Sequence, residues 1–88
     1  MEFYFKVKSG KMHLYRENGI IDDDLGELRE TFTGKLKTSN LFGENFELND
    51  ISGFFSKGNR YSIISSKGLK GVIGKKTFGE RYVLIEDK

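Results

Sequence analysis

The stretch EFYFKVKSGKMHLYR, residues 2–16, decides the fold of this chain. Apolar and polar side chains alternate on both sides of Ser9-Gly10, a pair that suits a two-residue hairpin turn. If 2–8 and 11–16 are antiparallel strands about that turn, Tyr4 lies opposite Tyr15. Since alternate side chains share a face of a strand, one face of this hairpin is apolar and carries Phe3, Phe5, Val7, Met12 and Leu14.

The other face of the hairpin mixes aromatic rings with cations. Rings that stack on bases, set among ammonium groups that neutralise phosphates, are what single-stranded nucleic-acid surfaces use. The alternative is a cross-strand tyrosine pair with lysines that protect an edge or keep the face soluble. The candidate binding residues on this face are Tyr4, Lys6, Lys11, His13 and Tyr15.

A second hairpin is predicted from Arg60–Ser65 and 69–75, joined by Ser66-Lys67-Gly68. Glycine suits the left-handed position of such a three-residue loop. Ile63 then faces Gly71 on one side, while the opposite side is partly basic. That side adds three further candidate binding residues, which are Arg60, Lys70 and Lys76. Whether the two basic surfaces lie side by side depends on the tertiary fold.

The remaining segments predict further strands. Asn18-Gly19 is a strong turn signal that would return the chain through Ile20 and Ile21, and Asp24-Leu25-Gly26 would turn it again. Residues 27–37 alternate as a strand, although a helix over 22–32 competes because Leu25, Leu28 and Phe32 also fit helical spacing. Glycines and threonines favour the strand, and a short strand is expected over 44–48.

The last segment, 81–86, is apolar on both faces. Such a strand is central, closes a barrel or contacts another subunit. The segments together give about seven predicted strands, and we expect them to form one all-β domain over 1–88. We expect a small antiparallel barrel or sandwich with little or no helix.

Composition narrows the class of protein further. The 88 residues include 11 glycines, no proline and no cysteine, so neither a disulfide framework nor a thiolate metal site is expected. No apolar run approaches the roughly 20 residues of a membrane helix, and the N-terminus lacks the basic leader of a secretion signal. We therefore expect a soluble cytoplasmic protein. The core of so small a domain is modest, which makes a homodimer possible.

Charge is segregated along the chain. Residues 1–34 carry five Lys/Arg against seven Asp/Glu, whereas 35–88 carry ten against six. The stretch 51–79 contains no acidic residue. Segregation of this kind can steer an anionic partner or pair two subunits, and the alternative is a solvated surface. The candidate acidic patch consists of Asp22, Asp23 and Asp24.

The segment from Tyr61 to Leu84 runs through a strand, a glycine turn, a basic strand and an aromatic return strand. It resembles the repeating unit of tubby C-terminal-like β-barrel proteins, and residues 13–19 with 26–32 are similar to a looser copy. The resemblance covers about half of the chain and implies a related topology. Members of that family wrap twelve strands around a buried helix, and some bind phosphoinositide lipids. The chain is too short for the complete barrel, and no functional residue is carried over.

Motifs for catalysis or metal binding fail on spacing. A P-loop over 68–77 lacks its first glycine, because Leu69 stands there, and Lys76 separates Lys75 from Thr77. An EF-hand counted from Asp22 has Thr33 at its twelfth position instead of glutamate. We expect no cofactor, no metal and no catalysis.

The expected function is therefore binding, most simply of another protein as an inhibitor or adaptor. The alternative is an anion-binding domain for single-stranded nucleic acid or acidic lipid headgroups, which would use the basic and aromatic sheet face.

Overall fold

The structure is a computed structural model in which residues 1–40 and 43–86 are described. Within these residues the chain forms eight β-strands and one short 3₁₀ helix, Phe54–Ser56. The strands are β1 (Glu2–Lys8), β2 (Lys11–Arg16), β3 (Asp23–Glu30), β4 (Leu36–Ser39), β5 (Phe46–Asp50), β6 (Arg60–Ser65), β7 (Lys70–Lys75) and β8 (Tyr82–Glu86). The described part contains no helix of the length and apolarity that a membrane span needs.

The eight strands close into an antiparallel barrel. Each strand pairs with the next along the chain, and β8 returns to pair with β1 through Glu2 opposite Val83 and Phe3 opposite Tyr82. Closure pairs the two edges that an open sheet would leave exposed. The all-β barrel is confirmed, with eight strands where about seven were expected. Of the three interpretations of the doubly apolar segment 81–86, the barrel-closing strand is the one observed.

Both predicted hairpins have the predicted register. In the first, Tyr4 faces Tyr15 and Phe5 faces Leu14, and in the second, Ile63 faces Gly71. The apolar face of the first hairpin is only partly core, however, since Val7 and Met12 are 59% and 44% exposed. β2 meets β3 only from His13 onward, so the tip of the hairpin projects beyond its neighbours.

The prediction of a turn at Asp24-Leu25-Gly26 was wrong. A β-bulge occupies this position. These residues lie inside β3, where His13 pairs with Glu27 but Tyr15 pairs with Asp24, so β3 holds one residue more than β2 over this interval. Gly26 absorbs the extra residue with φ of 112°, a conformation that side chains rarely adopt. The choice between strand and helix for 22–32 is settled as strand over Asp23–Glu30.

Three apolar residues predicted to lie in strands lie in loops instead. Ile20 and Ile21 occupy the connection between β2 and β3, and both are exposed. The expected long strand over 27–37 is instead the hairpin of β3 and β4, because the chain turns between Glu30 and Leu36, and Phe32 in that turn is fully exposed. These side chains have no neighbouring strand to cover them.

The barrel interior is filled by apolar side chains from the inward faces of the strands. The partly buried Phe5 packs edge-on against Tyr61 and Tyr82, at 5.7 and 5.3 Å between ring centroids, and the Tyr82 hydroxyl donates a hydrogen bond to the Gly58 carbonyl. Full burial of such a side chain contributes about 1.5–3 kcal/mol. The buried apolar residues are Phe3, Leu14, Leu25, Phe46, Leu48, Ile63, Ile73 and Tyr82.

Candidate binding surfaces

The aromatic residues of the predicted sheet face are engaged within the protein. The rings of Tyr4 and Tyr15 stack, and the Arg81 guanidinium carbon lies 4.3 Å from the centroid of the Tyr4 ring. The Tyr4 hydroxyl donates a hydrogen bond to Asp22 at 2.5 Å. This hydrogen bond, with some burial, raises the pKa of Tyr4 to about 12. The stack is the cross-strand pair that the sequence offered as one of two interpretations.

The cations of this face meet the predicted acidic patch. Because β3 lies beside β2, Lys8 Nζ donates to Asp24 at 2.8 Å, and His13 Nδ1 lies 2.9 Å from the other oxygen of the same carboxylate. Burial acts to raise the pKa of Asp24, but hydrogen bonds from Lys8, His13 and the Gly26 amide outweigh it and lower the pKa to about 2. The Lys11 ammonium lies 3.8 Å from the Glu27 carboxylate.

The three aspartates thus serve three different partners. Asp22 holds Tyr4, Asp23 accepts hydrogen bonds from Arg16, and Asp24 pairs with Lys8. Lys6 makes no ion pair in the described part of the chain. The cations of the sheet face and the carboxylates of the acidic patch compensate each other's charge. Little unpaired charge therefore remains on this face for an external ligand.

The other three predicted binding residues lie around β6 and β7. Arg60 on β6 pairs across the sheet with Gly74, and Lys70 on β7 pairs with Ile64. Lys76 follows β7, and its ammonium donates to Glu2 at 2.8 Å, which lowers the pKa of Glu2. β8 separates these residues in the sheet from the face of Tyr4 and Tyr15.

A groove of about 930 Å³ lies on this wall of the barrel. Gly74 sits between Arg60 on β6 and Val83 on β8 in the sheet register, so its missing side chain leaves a hollow between them. A Cβ atom built at Gly74 meets no atom within 4 Å. The described lining contains no acidic residue and consists of Ile51, Ser52, Gly53, Ser56, Asn59, Arg60, Gly74, Lys75, Lys76, Thr77, Val83 and Ile85.

One end of the barrel carries exposed aromatic side chains. In an up-and-down barrel, alternate connections lie at the same end, so the loops after β1, β3, β5 and β7 share an end. Phe54, Phe55 and Phe78 on these loops are 80%, 98% and 88% exposed, and Phe32 is fully exposed. We call these four residues the aromatic end.

The aromatic end was not predicted as a site from the sequence. Phe32 was predicted to lie in a strand, and no role was predicted for Phe54, Phe55 or Phe78. A usable signal was present, since Phe54 follows a glycine, Phe78 precedes one, and Phe32 lies two residues before Gly34. Aromatic residues beside turn-forming glycines lie on loops, and loops run over the surface.

The opposite end offers a natural comparison. Ile20 and Ile21 on the connection between β2 and β3 are also exposed, but they stand without aromatic neighbours on that loop.

Across the described residues, no group of three or more carboxylate or imidazole side chains is placed to hold a metal ion. No family model matches the chain, and no curated protein or solved structure matches it either.

Proposed function

We propose that this chain is a small binding module that docks another protein through its aromatic end, as an inhibitor or adaptor. The observation that carries the proposal is that Phe32, Phe54, Phe55 and Phe78 lie exposed on three loops at the same end of a closed barrel. Burying one such ring contributes about 1.5–3 kcal/mol, so a partner that covers several of them gains several kcal/mol against the cost of association.

The architecture of this end suits recognition. A closed barrel holds its loops on a rigid scaffold, and binding residues are concentrated on such loops. Phenylalanine is enriched at the centres of protein interfaces, where a few large side chains carry most of the affinity. Phe54 and Phe55 already contact each other edge-on, with ring centroids 5.1 Å apart, and so present one continuous apolar surface.

The loops also differ from the sheet face in charge. Lys57 lies in the same loop as Phe54 and Phe55 and forms no ion pair with the described residues, and the whole stretch 51–79 lacks acidic residues. A partner with an acidic surface around an apolar centre would therefore complement this end. The paired charges around Tyr4 and Tyr15 offer less to a ligand, which is why the proposal uses the loops.

The test compares two double variants that remove equal numbers of exposed apolar side chains from opposite ends. The tagged chain, Phe54→Ser/Phe55→Ser and Ile20→Ser/Ile21→Ser are used to purify partners from an extract of the native host. The protein recovered with the unmodified chain is identified, produced pure and titrated against all three. We expect the phenylalanine variant to lose at least about tenfold in affinity and the isoleucine variant to change by less than about twofold.

Two results would overturn the proposal. One is the absence of any stoichiometric protein, and the other is equal affinity of both variants. Light scattering of the purified chain provides a third measurement. A dimer that the phenylalanine variant dissociates would assign the aromatic end to a second copy of the chain and contradict an external partner.

A further inference from the structure

We infer that the groove beside Gly74 binds an extended acidic segment of the partner, one that also carries aliphatic side chains. This inference rests on the proposed function, because the loop 51–56 that lines the groove also bears Phe54 and Phe55. A partner seated on the aromatic end therefore has a continuous path into the groove.

The charge of the groove selects an anionic occupant. Arg60 and Lys75 line it and form no ion pair among the described residues, whereas Lys76 is paired with Glu2. Asp50 at the end of β5 forms no ion pair with either cation, and its oxygens instead accept hydrogen bonds from the amides of Ser52 and Gly58. A carboxylate-rich segment would meet two cations that the protein itself leaves unpaired.

The apolar part of the lining selects the kind of anion. Val83 and Ile85 on β8 and Ile51 in the loop are exposed where they line the groove. Aliphatic surface of this kind is covered by aliphatic side chains of a peptide. A single-stranded nucleic acid would require rings for its bases to stack on, and neither Phe54 nor Phe55 lines the groove.

The shape of the groove indicates an extended segment that lies across the wall. At the floor of the groove, β7 pairs with β6 on one side and with β8 on the other, so a peptide finds no free edge of β7 to extend as an added strand. The hollow above Gly74 instead accepts a side chain between Arg60 and Val83. The groove is open to solvent, and its volume of about 930 Å³ lies within the range of ligand sites in proteins.

The probe is a fluorescein-labelled octapeptide of alternating glutamate and valine, measured by fluorescence polarisation against the full chain. Its control replaces every glutamate by glutamine. Gly74→Val fills the hollow, and since a Cβ at this position meets no atom within 4 Å and the φ of Gly74 is not positive, we expect the fold to be preserved. Arg60→Glu reverses a groove charge, and Lys67→Glu makes the same change in the turn at the other end of the barrel.

We expect the glutamate peptide to bind, and Gly74→Val and Arg60→Glu each to weaken it at least about tenfold. Lys67→Glu should change affinity less than about twofold, and raising the salt concentration should weaken binding severalfold. The inference is overturned if the peptide does not bind, if the glutamine peptide binds equally well, or if Gly74→Val binds like the unmodified chain. An oligothymidine that binds more tightly than the peptide and is sensitive to Gly74→Val would assign the groove to nucleic acid and overturn it too.

The two proposals fail separately. The rings of Phe54 and Phe55 do not line the groove, so Phe54→Ser/Phe55→Ser should keep peptide affinity within about twofold while losing the partner. If the variant loses the partner and the peptide does not bind the unmodified chain, only the assignment of the groove is contradicted. If the peptide binds at Gly74 but the partner binds the phenylalanine variant as tightly as the unmodified chain, only docking through the aromatic end is contradicted.

Discussion

The rings of Tyr4 and Tyr15 lie across β1 and β2 with their centroids 5.1 Å apart and their planes within 7° of parallel. The hairpin register places the two residues directly opposite each other on the outer face of the barrel. Arg81, just before β8, lies over the ring of Tyr4, so the contact joins the first hairpin to the strand that closes the barrel. The contact between Arg81 and Tyr4 therefore spans the seam between β1 and β8 on the outside of the barrel.

The tyrosine stack should contribute measurable coupling to stability. In a double-mutant cycle of Tyr4→Ala and Tyr15→Ala, we expect a coupling free energy of about 0.5–1.5 kcal/mol beyond the separate effects. Urea unfolding followed by circular dichroism measures it. Tyr4→Phe keeps the ring and loses only the hydrogen bond to Asp22, so its coupling to Tyr15 should persist. Additive effects of the two alanine substitutions would show that the rings are merely adjacent.

Asp24 should make the barrel sensitive to acid. Its pKa in the folded chain is about 2, below the ordinary value of 3.8, so the folded state favours the carboxylate. The stability this supplies is present above about pH 4 and is lost as the pH falls towards 2. Discounted for solvent screening, the contribution is about 1 kcal/mol.

The matching variant is Asp24→Asn, which retains the size of the side chain. Its free energy of unfolding should be lower than that of the unmodified chain at pH 6, and the difference should shrink at pH 2–3. Urea midpoints measured across this range provide the comparison. A difference that stays constant from pH 6 to pH 2 would contradict a charge-based role for Asp24.

Gly26 and Gly74 should respond in opposite ways to alanine. At Gly26, φ is 112° and an added Cβ would lie 3.0 Å from the Ser39 carbonyl oxygen, so Gly26→Ala should destabilise the fold by about 1–3 kcal/mol. At Gly74, an added Cβ meets open space, so alanine should change stability by less than about 1 kcal/mol and in the favourable direction. Thermal unfolding of both variants tests the bulge, because equal effects would show that Gly26 is not constrained.

Thr38 should be sensitive to loss of its hydroxyl alone. Its side chain is buried, and its oxygen accepts a hydrogen bond from the Phe46 amide at 2.8 Å beside the short pairing of β4 with β5. Thr38→Val keeps the shape but leaves that amide unpaired, which should cost about 1–3 kcal/mol. Thr33→Val in the exposed turn is the control and should be nearly neutral. Equal midpoints in urea for both variants would argue that water satisfies the Phe46 amide.

The misassigned segments have specific physical causes. Leu25 is buried and Leu28 packs against the core, although they are three residues apart, because the bulge at Gly26 inserts one residue between two inward positions. That spacing imitates a helix, and periodicity alone does not separate the two. In the sequence, Phe32 continues the apolar alternation of Leu28 and Leu36, although it lies in a turn. It differs from a core residue only because no strand covers it.

Local chemistry was sufficient for the class of fold and for two registers. Turn residues and two-residue alternation act over a few neighbours, so they place Tyr4 opposite Tyr15 and Ile63 opposite Gly71 without reference to the rest of the chain. The candidate sites depend on contacts beyond a single hairpin. Asp24 reaches Lys8 only because β3 lies beside the first hairpin, and the groove at Gly74 takes its lining from the loop after β5 as well as from β6, β7 and β8. Charge pairing and grooves are properties of neighbours in space, and closure of the sheet decides which residues become neighbours.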